Sequence, residues 1–587
     1  MLTKVTISNF KRFGRVEIEL GNPVVFIGPN NSGKTSALQA IALWNVGLRK
    51  WMEKRLHKPA PKERVGVAIN RNDLIAVPVP SANLLWRNLR TRASSRSGGR
   101  QLTRNVRIEI VVEGVTNDTP WKCGFEFDYA NEESFYCRPL RLSEGKNPER
   151  MPVPEEVSDI RIAFLPPISG LTSNETRLDE GAVHVRIGEG RTAEVLRNLC
   201  YMVRVNSVQH WDKIAQHIKS LFGAELHVPT YIKERGEIVM KYSEREITLD
   251  LSCAGAGLRQ VLLLLAYLHA YPGAILLLDE PDAHLEILRQ RQVYQLLTGL
   301  AQENGNQIIA ASHSEVVLNE AAGKDVVVAF VGRPHRIDDR GSQVAKALRE
   351  IGFEDYALAE QKGWVLYLEG PTDLAILQAF ARRLQHTEAT RALEDPFVKY
   401  VGNQPSEVRK HYFAVREAVP ELKGIAIFDR LNQEFPANSG VEMMMWSRRE
   451  IENYLCFPET LEAYARASIV QEGPGAVFAA SDVDRRVTAM RESIDKVQEA
   501  LKTLHKGSPW SPDAKVSNDF LVPLFSEYFK RLGLPNIMNK KNFHVLADYV
   551  PVEKIDPEVR EKLDAICRTA RMAKPVTEKR RRSVKWD

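Results

Sequence analysis

The segment from Pro23 to Thr35, PVVFIGPNNSGKT, constrains the fold of this chain more than any other part of its sequence. An apolar run leads into a glycine-rich loop that fits G-x-x-x-x-G-K-[ST], and the residues after it have helical spacing. Such a strand–loop–helix unit belongs to an α/β sheet, and its backbone N–H groups wrap phosphate oxygens. We therefore expect an ATP site in which Lys34 contacts the β- and γ-phosphates and Thr35 ligates Mg²⁺. The other predicted nucleotide contacts of this motif are Gly28, Asn31, Gly33 and Ser36.

A second apolar run, ILLLDEP at 275–281, ends in two carboxylates. Ligands of open α/β sheets collect at the carboxyl ends of the strands, so these acids are expected beside the phosphates. We expect Asp279 to hold Mg²⁺ and Glu280 to polarise the water that attacks ATP.

Two further segments fit a nucleotide site. The small residues of LSCAGAG, 251–257, precede a helix whose N-terminus offers phosphate contacts without side chains. Ser252, Gly255 and Gly257 are the predicted contacts there, and a simple helix cap at Ser252 is the alternative. His313 follows the strand IIAAS, where its imidazole would sense the γ-phosphate or have only a structural role.

The order P-loop, Ser-x-x-Gly-x-Gly, LLLDEP and ASHS resembles ATPase heads of the ABC type, including RecF and SMC-like proteins. In that class the loop equivalent to 251–257 completes the ATP site of a second subunit. The resemblance therefore implies a head-to-head homodimer or a higher homo-oligomer. The Gly-x-Gly form of the loop resembles that of the OLD (overcoming lysogenization defect) family.

The pattern restarts near residue 350, where the strands WVLYLEG, FVKYVG and GIAIFD alternate with helices. This βαβαβ series predicts a second, smaller α/β unit. Glu369 and Asp373 lie four residues apart across the turn after the first strand, and Asp429 ends the third strand. If these carboxylates converge, a divalent cation, Mg²⁺ or Mn²⁺, is needed to neutralise their repulsion.

The pattern E-G-x-x-D, a βαβ spacer and a strand ending in Asp resembles a TOPRIM domain, the metal-dependent fold of topoisomerases, primases and OLD nucleases. An ABC-type ATPase followed by TOPRIM is the OLD layout. The resemblance implies two-metal phosphodiester hydrolysis, with Glu369 as metal ligand and catalytic residue.

Two later motifs extend this resemblance. In WSRREIENY, Glu450 and Glu452 resemble the glutamates that help to bind a second metal. The sequence Asn-Lys-Lys at 539–541 resembles the family's C-terminal lysine, assigned here to Lys541, which stabilises charge on the scissile phosphate. One position departs from the pattern, because Leu431 stands where TOPRIM domains have the second Asp of D-x-D. Leucine cannot ligate a metal, so Asn432 or one of the two glutamates would have to compensate.

These patterns define the expected α/β fold class and its boundaries. We expect an ABC-type ATPase head at 1–350, a TOPRIM core at 360–460, and a mainly helical part at 461–587 that completes the TOPRIM region and ends in a basic tail. Within the head we expect a basic insertion at about 49–107, with a loose loop at 93–100. The amphipathic stretch at about 190–222 is expected to form a helical dimerisation arm.

The composition is ordinary for a soluble cytoplasmic protein. Of 587 residues, 44% are hydrophobic and 27% are charged, and the net charge of +6 is mild. Six scattered cysteines without a C-x-x-C pair predict neither a zinc site nor a disulfide framework. The N-terminus lacks the apolar core of a signal peptide, and no apolar run is long enough for a bilayer, so no membrane association is expected.

Basic stretches suggest DNA as a partner. Arginines in the insertion, with Trp86 among them, suit phosphate contacts and base stacking, and the tail Lys579–Arg582 adds positive charge. Such contacts give affinity without sequence readout, and a solvated charged face is the alternative. The arginines are Arg87, Arg90, Arg92, Arg96, Arg100 and Arg104.

The expected function is an ATP-regulated, metal-dependent DNA endonuclease of the OLD type, which the resemblance connects with anti-phage defence, alone or with a second defence protein. One alternative is a sensor or scaffold ATPase whose TOPRIM-like domain no longer cuts and acts through a partner; Leu431 is its best support. Another is a repair ATPase of the RecF kind, against which a complete TOPRIM domain argues.

Overall fold

The computed structural model describes residues 1–55, 66–70, 74, 77, 79–97, 100–143, 148–167, 174–188, 191–337, 351–432, 435, 440–467 and 476–575. The chain divides into two units, Met1–Arg349 and Glu350–Asp587. Within the described ranges, no helix has the length and apolar character needed to cross a membrane.

An antiparallel sheet of six strands forms one layer of the first unit. It begins with an antiparallel hairpin, and residues such as Val5 and Ile7 point into the core because side chains alternate along a strand. In spatial order the strands are β2 (Phe13–Glu19), β1 (Leu2–Phe10), β7 (Ile108–Thr116), β8 (Thr119–Tyr129), β9 (Ser134–Pro139) and β4 (Val67–Asn70).

A second sheet of the first unit has five parallel strands and one antiparallel edge strand. Its central strands are apolar throughout because both faces are covered, as predicted from the continuous apolar runs. Leu277 and Ile309 face one core, and Leu276 and Ile308 face the other. In spatial order the strands are β10 (Ile162–Leu165), β16 (Ile275–Asp279), β17 (Gln307–Ser312), β3 (Val24–Ile27), β18 (Val326–Ala329) and the antiparallel β19 (His335–Arg336).

Helices cover both faces of this parallel sheet. The first helix contacts strands of both large sheets, and the third to sixth helices contribute to the core on the opposite face. The helices are α1 (Lys34–Arg55), α2 (Glu180–Gly188), α3 (Leu196–Asn206), α4 (Val208–Phe222), α5 (Ala256–Ala270), α6 (Ile287–Glu303) and α7 (Glu315–Ala321). The remaining strands are β5 (Arg92–Ser97), β6 (Arg100–Asn105), β11 (Glu225–Leu226), β12 (Thr230–Ile232), β13 (Glu237–Val239), β14 (Lys241–Glu244) and β15 (Ile247–Asp250).

The second unit contains a four-stranded parallel sheet. Three of its strands were predicted from their apolar runs, and the half-exposed fourth was not, because its EMMM segment carries no continuous buried pattern. In spatial order they are β21 (Val398–Tyr400), β20 (Trp364–Leu368), β22 (Lys423–Phe428) and β23 (Glu442–Met445).

The rest of the second unit is mainly helical, as predicted. Its helices are α8 (Phe353–Lys362), α9 (Pro371–Arg383), α10 (Thr387–Glu394), α11 (Pro405–Ala418), α12 (Pro458–Ala467), α13 (Ala476–Thr503), α14 (Val522–Leu532) and α15 (Pro557–Met572). Two tighter segments, the 3₁₀ turn Ile451–Tyr454 and the 3₁₀ stretch Lys540–Tyr549, carry candidate site residues.

The described part of the basic insertion contains more regular structure than the sequence suggested. Within 93–100 the expectation of a loose loop is wrong for the described residues, because β5 and β6 pair as an antiparallel hairpin. Two glycines between two segments of strand length are typical of a β-hairpin. The two glycines themselves lie outside the described residues. The strand β4 of the same insertion pairs with β9 and so extends the six-stranded sheet.

Trp86 is a core residue and is unavailable for base stacking. Its side chain is 1% exposed, its indole Nε1 donates to the Val106 carbonyl at 2.7 Å, and its ring packs edge-on against Tyr129 and Phe135. The prediction of a stacking role is therefore wrong. Arg87, by contrast, is exposed. The basic tail at 579–582 lies outside the described residues.

The segment at 190–222 packs into the first unit and does not project as an arm. Its helices α3 and α4 bury Leu199, Trp211 and Ile214 against α5. Amphipathic helices are stabilised by such burial, so the apolar stripe that suggested an arm is satisfied within the chain.

Replacing Trp86 with alanine should lower the unfolding free energy of the first unit by about 3–5 kcal/mol, the usual result of removing a large buried aromatic side chain. Trp86→Phe, which keeps most of the ring contacts, should have a smaller effect. Calorimetric unfolding of the full chain measures both variants. Unchanged stability of Trp86→Ala would contradict the buried position.

Candidate functional site

The glycine-rich loop joins β3 to α1, as the motif predicts. Backbone conformation and close contacts explain its glycines: Gly33 has a φ of +108°, and a Cβ there would lie 2.6 Å from the side-chain atom Arg12 Cδ. At Gly28 a Cβ would lie 3.1 Å from the Phe330 carbonyl oxygen. Asn31 also has a left-handed backbone, with φ of +60°. The loop is thus fixed by close contacts to its surroundings.

Lys34 and Thr35 begin α1 and face the end of β16. Lys34 is 5% exposed, and its ammonium donates to the carbonyl oxygens of Gly28 and Pro29 at 2.7 and 3.0 Å. The Thr35 hydroxyl donates to Asp279 Oδ1 at 2.9 Å, which brings together the two residues predicted to share Mg²⁺. Ser36 follows in the first turn of α1 and is half-buried.

The charges around this loop are partly desolvated. Burial lowers the pKa of Lys34, and the carboxylates of Glu280, Asp279 and Asp282 oppose that shift. Burial also raises the pKa of Asp279, against the hydrogen bond from Thr35. A buried ammonium next to buried carboxylates is an arrangement that can hold a polyphosphate together with a divalent cation.

Glu280 and His313 meet because β16 and β17 are parallel neighbours and end at the same edge. His313 Nδ1 lies 3.4 Å from Glu280 Oε1, and both side chains are substantially exposed. Glu280 has a left-handed backbone, with φ of +49°, which is uncommon for a residue with a side chain and typical of functional sites.

Asp282 belongs to the same edge and was not predicted. Its carboxyl group is 5% exposed and hydrogen-bonds to Ser312, the last residue of β17. It therefore ties the segment after β16 to the neighbouring strand. An acid three residues after a strand belongs to no distinctive sequence motif, so the role of Asp282 becomes visible only in the folded structure.

The loop at 251–257 leads into α5. Ser252 lies in a 3₁₀ turn, where its N–H donates to Asp250 Oδ1, while Cys253 and Gly255 are exposed. Among the described residues, no hydrogen bond or ion pair joins this loop to Lys34, Thr35 or Glu280 of the same chain.

Gly255 and Gly257 have different surroundings. A Cβ at Gly255 would meet nothing within 4 Å, so this glycine is open to a ligand. A Cβ at Gly257 would lie 2.9 Å from the His284 carbonyl oxygen and 2.9 Å from Leu285. Gly257 therefore permits close packing of α5 against the segment that follows Glu280, and its predicted phosphate contact stays a prediction.

In the second unit, Glu369 and Asp429 follow the parallel neighbours β20 and β22 and so reach one sheet edge. Their carboxyl groups are hydrogen-bonded to each other. Asp373, in the first turn of α9, accepts the Glu369 N–H at 3.0 Å through Oδ2. The three acids predicted to converge therefore lie together.

Asn403 completes this cluster and was not predicted. It follows β21 with a left-handed backbone, φ +58°, and its Nδ2 donates to Glu369 Oε2 at 2.6 Å. Its Oδ1 accepts the Asp429 N–H at 3.0 Å. The amide therefore joins the two carboxylates. An Asn after a strand also fits a plain turn, so its sequence position alone does not distinguish it.

Burial and mutual repulsion raise the pKa values of Asp373, Asp429 and Glu452. Burial and the charge of Glu369 raise the pKa of Asp373 to about 6. Burial, then hydrogen bonding to Glu369, raises the pKa of Asp429 well above its usual range. Burial, then the charge of Glu450, raises the pKa of Glu452 to about 8.

Glu450 and Glu452 have different environments. Glu450 caps the 3₁₀ turn at 451–454, and its two carboxylate oxygens accept the Ser517 N–H and hydroxyl at 2.5 and 3.0 Å. Its oxygens are therefore occupied by structural hydrogen bonds, which argues against its predicted role as a metal ligand. Glu452 is 4% exposed and interacts electrostatically with Asp373, so it borders the acidic cluster.

Lys540 is a cation whose charge acts on Glu452. That ammonium opposes the rise in the pKa of Glu452. Lys541, the residue predicted to be catalytic, is exposed, and its N–H donates to Asn539 Oδ1. The Asn-Lys-Lys motif is thus near the acidic cluster, but the lysine that interacts with the cluster is Lys540 and not the predicted Lys541.

The donors of the cluster suit a hard divalent cation, since all are carboxylate or amide oxygens. In the described ranges no three His, Cys, Asp or Glu side chains are arranged as a ready-made metal site. Binding of a cation by these donors would therefore require their side chains to rearrange around it.

Family models identify the first unit. The family described as "AAA domain, putative AbiEii toxin, Type IV TA system" matches residues 108–319, and "AAA ATPase domain" matches residues 1–56. Together with the geometry around Lys34, these matches show that the chain contains an ATPase domain of the AAA/ABC type. ATP is its nucleotide. No curated protein matches the chain.

Solved structures similar to the chain include heads of SMC proteins. The SMC head bound to the C-winged helix domain of ScpA is 14% identical, with 57% of this chain and 98% of that chain covered and a TM-score of 0.35. The SMC head domain from Thermotoga maritima is 15% identical, with 57% and 98% covered and a TM-score of 0.31. The Smc head with an extended coiled coil bound to the C-terminal domain of ScpA, from Pyrococcus furiosus, is 12% identical, with 60% and 99% covered and a TM-score of 0.34.

Gly257→Ala should destabilise the first unit by about 1–3 kcal/mol, because the added methyl group overpacks against the His284 backbone. Gly255→Ala is the matched control, since its methyl group meets open space and should leave stability within about 0.5 kcal/mol. Thermal unfolding of both variants tests the difference. Equal midpoints would contradict the distinct packing of the two glycines.

In the presence of EDTA, the stability of the second unit should fall as the pH rises from about 4 to 8. Folded Asp373 and Glu452 have raised pKa values, about 6 and about 8, so folding favours their protonated forms. That stabilisation is complete below their ordinary values of 3.8 and 4.5 and is lost as the pH passes through the folded ones.

Thermal unfolding across this pH range measures the effect. Glu452→Gln should flatten the profile between about pH 5 and 8, and the exposed Glu553→Gln should leave it unchanged. A midpoint independent of pH in the wild-type protein would contradict the raised pKa values.

Proposed function

We propose that this protein is an ATP-hydrolysing, metal-dependent DNA endonuclease of the OLD type. The observation that carries the nuclease half is the meeting of Glu369, Asp373 and Asp429, joined by Asn403, at one edge of a parallel sheet. Buried acids this close together repel one another unless a cation or a proton balances their charge, which supports a cation site here.

The ATPase half follows from the loop at 28–35. Lys34 would contact the β- and γ-phosphates, and Thr35 and Asp279, already in contact, would hold Mg²⁺. Glu280 would orient the attacking water, with His313 beside it at the γ-phosphate. The exposed Ser252 and Gly255 would contact the ATP of a second copy, so that two heads form a homodimer around the nucleotides.

In the second unit the acidic cluster would hold Mg²⁺ or Mn²⁺. A divalent cation bound there would supply Lewis-acid activation of a phosphodiester. Asn403 orients Glu369 and Asp429 through its two hydrogen bonds. Glu452 would supply the carboxylate that Leu431 cannot. Lys540 is placed to balance the charge of the scissile phosphate, and we propose it in place of Lys541.

DNA is the proposed substrate, and anti-phage defence the proposed setting. Exposed arginines on the insertion, including Arg87, Arg90, Arg92 and Arg104, would contact its backbone without reading sequence. A second defence protein remains a proposed partner, and the cytoplasm the proposed compartment.

Leu431 favours a second candidate function, a sensor or scaffold ATPase whose second unit binds a partner and no longer cuts. Next to it, Arg430 is held by Asp513 at 2.6 Å and by the Ser447 carbonyl, so this segment is fixed without a metal. The two candidates differ in whether the acidic cluster has to bind a cation for the protein to act.

Plasmid cleavage with Mg²⁺ or Mn²⁺ tests the nuclease. Glu369→Gln and Asp373→Asn should each reduce the cleavage rate by about 10²-fold or more, since each removes a charged metal ligand. Lys540→Met should reduce it by about 10²-fold, and Lys541→Met, the matched control, should have little effect.

The ATPase rate of the same variants serves as the folding control and should stay near that of the wild type. If the wild-type protein cuts with neither metal, the nuclease proposal is wrong and the scaffold function is favoured. DNA-stimulated ATP hydrolysis without cleavage would instead favour a repair ATPase.

A further inference from the structure

Arg197 is the most deeply buried guanidinium described in the first unit. It lies in the first turn of α3, and its side chain is 1% exposed. Its Nη2 donates to Asp250 Oδ1 at 2.9 Å. A charge this deeply buried is kept only with well-placed partners, so the pair fixes the position of Asp250.

Asp250 connects this pair to the loop at 251–257. It ends β15 and directly precedes the loop, and the oxygen that receives Arg197 also accepts the Ser252 N–H at 2.9 Å. One carboxylate oxygen thus joins the loop backbone to a buried cation. The Asp250 side chain itself is 38% exposed, so it lies at the surface with the loop.

The backbone of Arg197 is itself held by a buried acid. Glu175 is 3% exposed, and its carboxylate accepts the N–H groups of Arg197 and Asn198 at 2.9 and 2.6 Å, and the Asn198 amide at 2.7 Å. Glu175 therefore caps α3 from outside the helix. Arg197 is fixed at its backbone by Glu175 and at its head by Asp250.

The opposite end of the loop is fixed as well, since Gly257 packs against the His284 carbonyl oxygen. Between these two anchors, Cys253 and Gly255 face solvent. An exposed segment held at both ends loses little conformational entropy when it binds a ligand. Such preorganisation suits a segment that has to contact a nucleotide in a defined geometry.

We propose that Arg197 is a positioning residue for ATP hydrolysis: through Asp250 it holds the loop at 251–257 in the form that meets the ATP of a second copy. This inference rests on the proposed composite site. Lys34 and Thr35, which would bind the chain's own ATP, belong to α1. Loss of the Arg197–Asp250 pair therefore lowers the turnover rate and leaves ATP affinity intact, whereas a general loss of structure would lower both.

The experiment uses the full chain and measures two quantities for each variant: the Kd for a fluorescent ATP analogue and the kcat of ATP hydrolysis. Asp250→Ala should lower kcat by about 10²-fold, the effect of misplacing a catalytic element by an ångström. Its Kd should stay within about twofold of the wild type. Asp250→Asn keeps an oxygen acceptor for both donors and should recover part of the rate.

Arg197→Lys keeps the charge and loses the fork geometry, so it should also lower kcat selectively. The matched control is Lys219→Met, which breaks the exposed Lys219–Glu225 pair of the same unit and should keep the wild-type kcat. Because Asp250 is partly exposed, its variants provide the test even if Arg197→Lys fails to fold.

Gly255→Glu tests the composite site itself, so that a failure of that site can be distinguished from a failure of the role proposed for Arg197. The position has open space for a side chain, and the added carboxylate would repel phosphate. If Gly255→Glu hydrolyses ATP like the wild type, the loop has no part in the site and the composite-site proposal is wrong. If Gly255→Glu is inactive while Asp250→Ala and Arg197→Lys keep the wild-type kcat, only the role of Arg197 is overturned. A parallel loss of ATP affinity and kcat in the Asp250 variants would also overturn it.

Discussion

Burial of the parallel strands on both faces is the constraint on which both candidate sites depend. The strands β3, β16 and β17 of the first unit, and β20 and β22 of the second, have apolar interiors, so polar side chains occur where they end. Parallel pairing brings those ends to one edge. The same arrangement therefore places Asp279 near Lys34 and Glu369 near Asp429, although the two units share no motif.

The two sheet edges differ in what offsets their buried negative charge. In the first unit a resident cation, Lys34, lies among the acids, and a hydroxyl donates to one of them. In the second unit the acids Glu369 and Asp429 share a hydrogen bond, and Lys540 interacts with their neighbour Glu452. The first edge thus has a buried cation among its acids, while at the second edge protons or an external cation must balance the negative charge of the buried acids.

The sequence was sufficient where a local pattern determines the structure. Continuous apolar runs identified the central strands, and the P-loop identified the helix that begins at Lys34. It was insufficient where a residue's role depends on a distant partner. Asn403 and Asp282 look like ordinary turn residues until neighbouring strands bring Glu369 and Ser312 to them.

Residues of one type were also hard to tell apart by sequence. Glu450 caps the 3₁₀ turn at 451–454, whereas Glu452 lies within that turn. Ser517, which lies outside the motif, donates to Glu450 and so identifies it as the cap. Trp86 was assigned to a surface because arginines surround it in the sequence, whereas its indole packs among distant aromatic rings. Charge patterning describes the neighbours of a side chain along the chain and not its neighbours in space.

Cys253, in the loop at 251–257, is exposed and therefore accessible to thiol reagents, unlike the other cysteines. All six cysteines are unpaired, five of them are buried, and burial raises the pKa of thiols such as Cys137 and Cys200. Thiol reagents attack exposed thiolates, so a maleimide dye would label the wild-type chain at this single position. The native sequence therefore carries its own attachment point for an optical probe, placed in the segment whose approach to a second copy would change the probe's environment.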